Sequence, residues 1–367
     1  MWLKPRGPLN KVRGSGSRTA RIIKDPAANR TESGRYMTNW DVLIVGAGQA
    51  GCAAAWDLAA AGLRVAVISR SLSRGKPCAG GVTEKAVARY RFSIVPVVRE
   101  VVTTLAVGHS SSPLRHFSTA TPFCVMTERA ELDAFCRGQA EYQGAVFHET
   151  AGLTGLEQRA DCVRIETREG AVFSAPWLIA ADGANSAVAR LLGERHPAGA
   201  MAIEGCVPRE SVRDYPPMTL DFGVIRGGYG WLFPKGDHVN VGLYVWRHGA
   251  AAPQRSALQR YCQARLGAEA KHVAGYPLGT WLPHTRLANG RVLFVGDAAG
   301  CTEVLLGEGI YGAVLSGQLA AQAILGERPD VFYPLALAGW REELQQVSRL
   351  GALFYGLLPV SSGLLQG

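Results

Sequence analysis

The sequence predicts an α/β protein in which a buried parallel sheet carries an inserted, largely antiparallel region. Three observations predict it. Continuous apolar runs at 42–45 and 65–68 flank an Ala-rich helical stretch at 49–61 that Gly62 closes, which together make one βαβ unit. A third run, 291–295, lies far downstream and leads into Gly296-Asp297. Between them, 200–207 and 218–246 are strand-rich with an alternation of period two, the pattern of antiparallel strands.

Taken in order, residues 1–36 hold nine Lys or Arg against Asp25 and Glu32, so +7 of the chain's net +9 sits there and the rest is nearly neutral. This basic segment has neither a helical nor a strand period and is expected to be disordered. It lacks the apolar core of a secretory signal. An organellar transit peptide, a basic arm toward anionic lipid or nucleic acid, and a stretch preceding the natural start at Met37 all fit it; the third is preferred. With the charge confined to the leader, no nucleic-acid partner is expected. The apolar stretch 42–68 is no membrane span, because Gln49, Asp57, Arg64 and four glycines interrupt it. Strands are expected at 122–126 and 174–181 with a helix at 128–142 between them, and Lys235-Gly236-Asp237-His238 reads as a hairpin turn. Helices follow at 308–325 and 338–357, and the uncharged apolar tail 351–367 is broken by Pro359. The length fits about two domains. Eight cysteines form no CxxC and have no zinc spacing, which predicts reduced thiols, no metal site and a cytoplasmic location.

The chemistry starts at Gly46-Ala47-Gly48-Gln49-Ala50-Gly51, a GxGxxG between strand and helix. Its first glycine makes the turn, the second admits a pyrophosphate and the third brings helix onto strand, so phosphates meet the helix N-terminus. The ribose position, usually acidic, is Ser69, followed by Arg70; a 2′-phosphate, hence NADP, stays open there. Asp182, in the run from Ala181 to Arg190, and Asp297, after Gly296, sit at strand ends where carboxylates can bond polyol hydroxyls. Asp297 is placed for the ribityl chain of a flavin. The Gly307-Glu308-Gly309-Ile310 helix start can stabilise an anionic reduced isoalloxazine. Tyr229, Trp231 and Phe233 are spaced by two and share one strand face, either as an aromatic wall or as an ordinary core stripe. Cys78 follows Lys76-Pro77 in a Gly-rich loop that also holds Ala79 and Gly80; its thiol faces a ligand or is simply buried. Arg129 starts a helix and either reaches a cofactor phosphate or ribose or is a solvated arginine. His238 and His284 have no spaced partners and are read as structural.

This set resembles the glutathione-reductase-type flavoproteins of the para-hydroxybenzoate hydroxylase branch, and within it the geranylgeranyl reductase family. Four segments carry the resemblance: Lys76-Pro77-Cys78-Ala79-Gly80-Gly81, similar to KPCGGG; Arg129-Ala130-Glu131-Leu132-Asp133, similar to RxxFD; Tyr229 to Pro234, similar to YxWxFP; and GDAAG…GEGI…SG from Gly296 to Gly317. Val304, Tyr244 and Ser69 stand where the family has Pro, Gly and Glu. The resemblance implies a Rossmann-like FAD-binding domain (37–90, 120–195 and 285–330), a substrate domain (91–119 and 196–284) and a C-terminal helix with tail (331–367). It also implies FAD, NADPH or another reductant, and a prenyl substrate whose C=C bonds are saturated, with Cys78 beside the flavin. Peripheral membrane association through the tail is expected, or else packing of the tail on the core. An NAD(P)H-dependent flavin monooxygenase is the alternative of the same branch.

Overall fold

A computed structural model describes residues 29–30 and 36–361, apart from 74, 111, 197 and 247–251. Its centre is a six-stranded sheet in the order Val146–Glu149, Val65–Ser69, Val42–Val45, Trp177–Ala180, Val292–Phe294, Ala288–Asn289. The first five strands run parallel and the last is antiparallel. Val42–Val45 is buried along its whole length, as its unbroken apolar sequence requires. Helices Gln49–Ala60 and Ile310–Leu325 pack so closely that a Cβ on Gly317 would lie 2.2 Å from the Ala50 carbonyl oxygen. A five-stranded sheet contributes Val163, Ile165, Phe173 and Ala175 to the same core.

Two expectations change here. The single strand at 174–181 is two, Val172–Ala175 in the five-stranded sheet and Trp177–Ala180 in the central one. Pro176 separates them, since a residue without an N–H cannot continue a ladder. The end of the basic leader also forms strand: Tyr36–Asn39 runs parallel to Val172–Ala175 and pairs on its other side with Asn29–Arg30. Val172–Ala175 would otherwise leave an open edge, which the added strands cover. The rest of the leader lies outside the described residues.

The second large layer is a seven-stranded sheet in the order Lys271–Leu278, Ala200–Pro208, His238–Trp246, Gly228–Pro234, Met218–Phe222, Thr104–His109, Arg115–Ser118. Helix Arg255–Leu266 covers one face, burying Leu258, Tyr261 and Cys262 against Ile203, Leu232, Val241 and Leu243. Gly230 is needed there because a Cβ would meet the Tyr261 ring at 2.6 Å. The hairpin turn at 235–238 is present, closed by the Lys235 N–H donating to the His238 carbonyl at 2.9 Å. Val98–Val102 joins Gly81–Thr83 and Cys124–Thr127 in a small fourth sheet.

Helix Ala338–Ser361 runs through Pro359, so the tail is not broken there. Its Tyr355 and Leu358 are buried on the body while Leu350, Leu353 and Leu357 face solvent. Residues 362–367 lie outside the described residues. No helix among the described residues is long and apolar enough to cross a membrane.

Candidate active site

Two cavities, of about 670 and 230 Å³, share Gly48, Lys76, Pro77, Ala181, Gly183 and Tyr276 in their walls and so form one continuous cleft. The larger lies over the strand ends of the central sheet, where Gly46, Gly48, Ser69, Arg70 and Asp182 line it. The smaller lies between the sheets. Gln49, Ala50, Cys78, Ala79, Gly80, Arg129, Gly296, Asp297, Gly307, Gly309 and Ile310 form its floor, and Tyr229, Trp231 and Phe233 face them. Gly51 lines neither cavity. A Cβ there would lie 1.9 Å from the Gly46 carbonyl oxygen, so its role is close helix–strand packing rather than contact with a ligand. Gly46 has φ +108° and its missing Cβ leaves room for the Ala181 carbonyl, 2.3 Å away, while nothing stands within 4 Å of a Cβ on Gly48.

The polar groups are tightly arranged. Asp182 Oδ2 accepts from the Ala187 and Val188 N–H groups at 2.7 and 3.0 Å, capping the short helix Ala187–Leu191. Its Oδ1 is buried without a protein partner, and burial pushes the carboxyl up despite these bonds. Asp297 is paired with Lys76 and accepts from Thr302 Oγ1 at 2.9 Å. Burial alone would raise its carboxyl; the Lys76 ammonium wins and holds it below the ordinary range. Ser69 donates its hydroxyl to the Ser71 carbonyl at 3.0 Å, and across the parallel register it faces Glu149, whose carboxylate takes the Leu72 N–H.

Arg129 is no solvated arginine. It starts helix Arg129–Gln143, is 7% exposed, and holds Asp133 with three bonds of 3.1 to 3.2 Å. It stands in the wall of the smaller cavity together with Gly48, Gln49 and Ala50 of the GxGxxG turn. Gln49 ties the same corner together, donating to Asp133 at 2.6 Å and accepting from Tyr90 at 2.6 Å. Cys78 is half-buried and takes the Gly80 N–H at 3.4 Å. His238, expected to lack partners, bonds Asp237 at 2.7 Å and Glu128 at 3.5 Å. Glu128 is a hairpin's width away in space but over a hundred residues back in sequence, out of reach of any local pattern.

Three tyrosines fasten the loop before Gly307. Tyr244, Tyr355 and Tyr229 donate in turn to the consecutive carbonyls of Val304, Leu305 and Leu306 at 2.7, 2.6 and 2.5 Å. Trp231 Nε1 donates to Asn240 at 2.7 Å. The polar tips of the aromatic wall are thus satisfied within the protein. Gly242 makes room for Trp231, whose ring would stand 2.0 Å from a Cβ at that position. Glu308 accepts the Tyr311 N–H at 2.8 Å through Oε1; its buried Oε2 has no protein partner, and burial raises the carboxyl. Lys76, Thr302, Tyr276, Lys235 and Glu204 join the site without having been singled out as site residues. Lys76 was visible inside its motif, whereas Glu204 and Tyr276 meet only through strand register.

These residues fit an FAD. A glycine cradle, a helix N-terminus and the free Asp182 Oδ1 suit its phosphates and sugars, and the Gly307–Ile310 start suits a flavin ring. When bound, FAD supplies two-electron redox chemistry.

A dinucleotide cleft opening onto an apolar chamber defines an FAD-dependent oxidoreductase, and residues 39–208 match the family described as an FAD binding domain. The chain is 30% identical to the chloroplastic geranylgeranyl diphosphate reductase of Oryza sativa subsp. japonica, over 96% of this chain and 81% of that one. Among solved structures, a geranylgeranyl bacteriochlorophyll reductase-like protein from Thermoplasma acidophilum superposes with a TM-score of 0.70 at 22% identity, covering 84% of each chain. PqsL of Pseudomonas aeruginosa, described as a probable FAD-dependent monooxygenase, superposes with a TM-score of 0.65 at 22% identity, covering 88% of this chain and 97% of that one. The chain belongs to the geranylgeranyl reductase family of flavoproteins.

Proposed function

We propose that the protein saturates isolated C=C bonds of a prenyl chain, with FAD as redox cofactor and NADPH or another reductant as electron source. The observation that carries the reading is the capped aromatic wall: with the Tyr229, Tyr244 and Trp231 polar groups already bonded, this side of the chamber offers ring faces to its ligand. A prenyl chain asks for that and a polar aromatic substrate does not. No carbonyl polarises such an alkene, so positive charge develops on carbon as hydride and proton add. Tyr229, Trp231 and Phe233 stabilise it by about 0.5–2 kcal/mol per well-placed ring face. Cys78 and Arg129 complete the lining of the chamber.

The substrate class follows as a geranylgeranyl chain on a diphosphate, lipid, chlorin or quinone. We assign its membrane contact to Leu350, Leu353 and Leu357, with Leu306 exposed at the chamber wall as the point of entry. The test is anaerobic: dithionite-reduced holoprotein mixed with geranylgeranyl diphosphate should give a product two hydrogens heavier per bond while flavin absorbance near about 450 nm returns. No saturated product from any prenyl substrate, with NADPH oxidation that requires oxygen and releases peroxide, would establish the monooxygenase reading instead.

A further inference from the structure

We propose that Tyr276 and Glu204 deliver the proton that completes alkene reduction, Tyr276 giving its hydroxyl proton to carbon and Glu204 refilling it. This rests on the prenyl-reductase reading. It starts from register: Ala202 pairs with Tyr276 and Glu204 with Ala274, so Glu204 and Tyr276 are diagonal neighbours on one face of the sheet. Glu204 pairs on its other side with Gly242, which pairs with Trp231; the acid therefore stands on the face that carries the aromatic wall.

Tyr276 Oη lies 3.0 Å from Glu204 Oε2, with the two residues 9% and 8% exposed. Tyr276 lines the cleft where its two cavities meet. Tyr229 and Tyr244 donate to carbonyls that cannot return a proton, whereas the partner of Tyr276 is an acid. Burial raises the Glu204 carboxyl, against the Tyr276 bond, the Lys235 ammonium and the Cys78 N–H, with Glu128 adding a smaller upward push. When the carboxyl holds a proton, it and the phenol carry two protons and need only one between them, which leaves one O–H for the chamber.

The step balances. The Tyr276 O–H bond breaks as C–H forms, the Glu204 O–H bond breaks as Tyr276 is reprotonated, and the carboxylate left behind is favoured by the charge of Lys235. Lys235, 1% exposed, donates to the Thr127 carbonyl at 2.8 Å and pairs with Glu128 at 3.4 Å, and Glu128 meets His238 near the surface. Tyr276 is the catalytic residue of this step and Glu204 a positioning residue that acts through it.

The experiment compares wild type, Tyr276→Phe and Glu204→Gln as FAD-loaded proteins. Infrared spectra should contain the C=O stretch of a protonated carboxyl that is absent in Glu204→Gln and displaced in Tyr276→Phe. FAD occupancy and reduction by dithionite should be unchanged, while reoxidation by geranylgeranyl diphosphate slows about 100-fold in both variants, the range for loss of a general acid. Wild-type reoxidation rates in the variants, or no carboxyl band lost in Glu204→Gln, overturn the relay alone. A wild-type holoprotein that geranylgeranyl diphosphate fails to reoxidise overturns the prenyl reading and removes the relay's acceptor with it.

Discussion

Lys76→Met isolates what the Lys76–Asp297 pair contributes. Asp297 is 12% exposed and Lys76 38%, so the substitution strands a largely buried carboxylate whose lost partner was itself partly wet. Breaking a fully buried pair costs about 3–5 kcal/mol. Solvent access through the Lys76 side, and the Thr302 and Gly279 donors that remain, reduce the expected loss to about 2 kcal/mol at pH 7. The pH dependence gives the sharper test. In the wild type the Asp297 carboxyl is held below its ordinary value, so its contribution is present above that value and disappears only as pH falls further. In Lys76→Met burial is opposed only by the remaining donors, and the carboxyl moves above its ordinary value. The deficit should then be largest near pH 8 and shrink toward pH 5 as the group takes up a proton. Urea unfolding of the FAD-free protein, followed by tryptophan fluorescence, measures it, and adding Asp297→Asn should restore most of the loss. A deficit equal at pH 5 and pH 8, or a double variant less stable than Lys76→Met, would refute the reasoning.

Gly242→Ala places a methyl 2.0 Å from Trp231 and should cost about 1–3 kcal/mol by overpacking, with a shifted tryptophan emission in denaturant titrations; an unchanged emission and midpoint would count against the packing described. Arg265→Met leaves Asp221, fully buried, without the bonds of 2.7 and 2.5 Å that its guanidinium makes, so a loss of about 3–5 kcal/mol is expected in the same titration, and less in the double variant with Asp221→Asn. The Glu128–His238 pair is bounded on both sides of the pH scale. Its bond to His238 holds Glu128 down to about 2, and the same bond raises His238. The Glu128 share is present above the ordinary carboxyl value and lost as pH falls toward about 2; the His238 share is present below the ordinary imidazole value and lost as pH rises through the raised one. The stability difference between wild type and Glu128→Gln, about 1 kcal/mol, should therefore peak near pH 5–6, and a flat difference from pH 3 to 9 would argue against the pair.

The nucleotide half was legible because its signals are local. Gly46 to Gly51, the flanking apolar runs and the Gly296–Asp297 turn state their geometry within a few residues, and a period of two put Tyr229, Trp231 and Phe233 on one face. What escaped depends on contacts that local pattern does not encode. Arg129 was readable as a helix start but not as a neighbour of Cys78, fifty-one positions away, in the wall of one cavity. Glu204 and Tyr276 come together only once 200–208 and 271–278 are paired in a particular register, since a slip of one residue would turn either side chain to the helix-covered face. Pro176 is the opposite case: the break it imposes was present in the sequence and overridden by the apolar residues around it.

The loop held by Tyr229, Tyr244 and Tyr355 bears on how this chain diverged from its relatives. Two of its departures from the family pattern, Tyr244 and Val304, touch each other through one 2.7 Å hydrogen bond, and the Tyr244 ring lies where a Cβ on Gly307 would stand at 2.9 Å. The bond goes to the main-chain carbonyl of residue 304, which a proline there would also present, so the two departures are unequal: position 244 carries the anchor and the side chain at 304 does not. Exchanging Tyr244 for the family's glycine should therefore loosen the loop by one of its three fasteners, whereas exchanging Val304 for proline leaves all three acceptors in place.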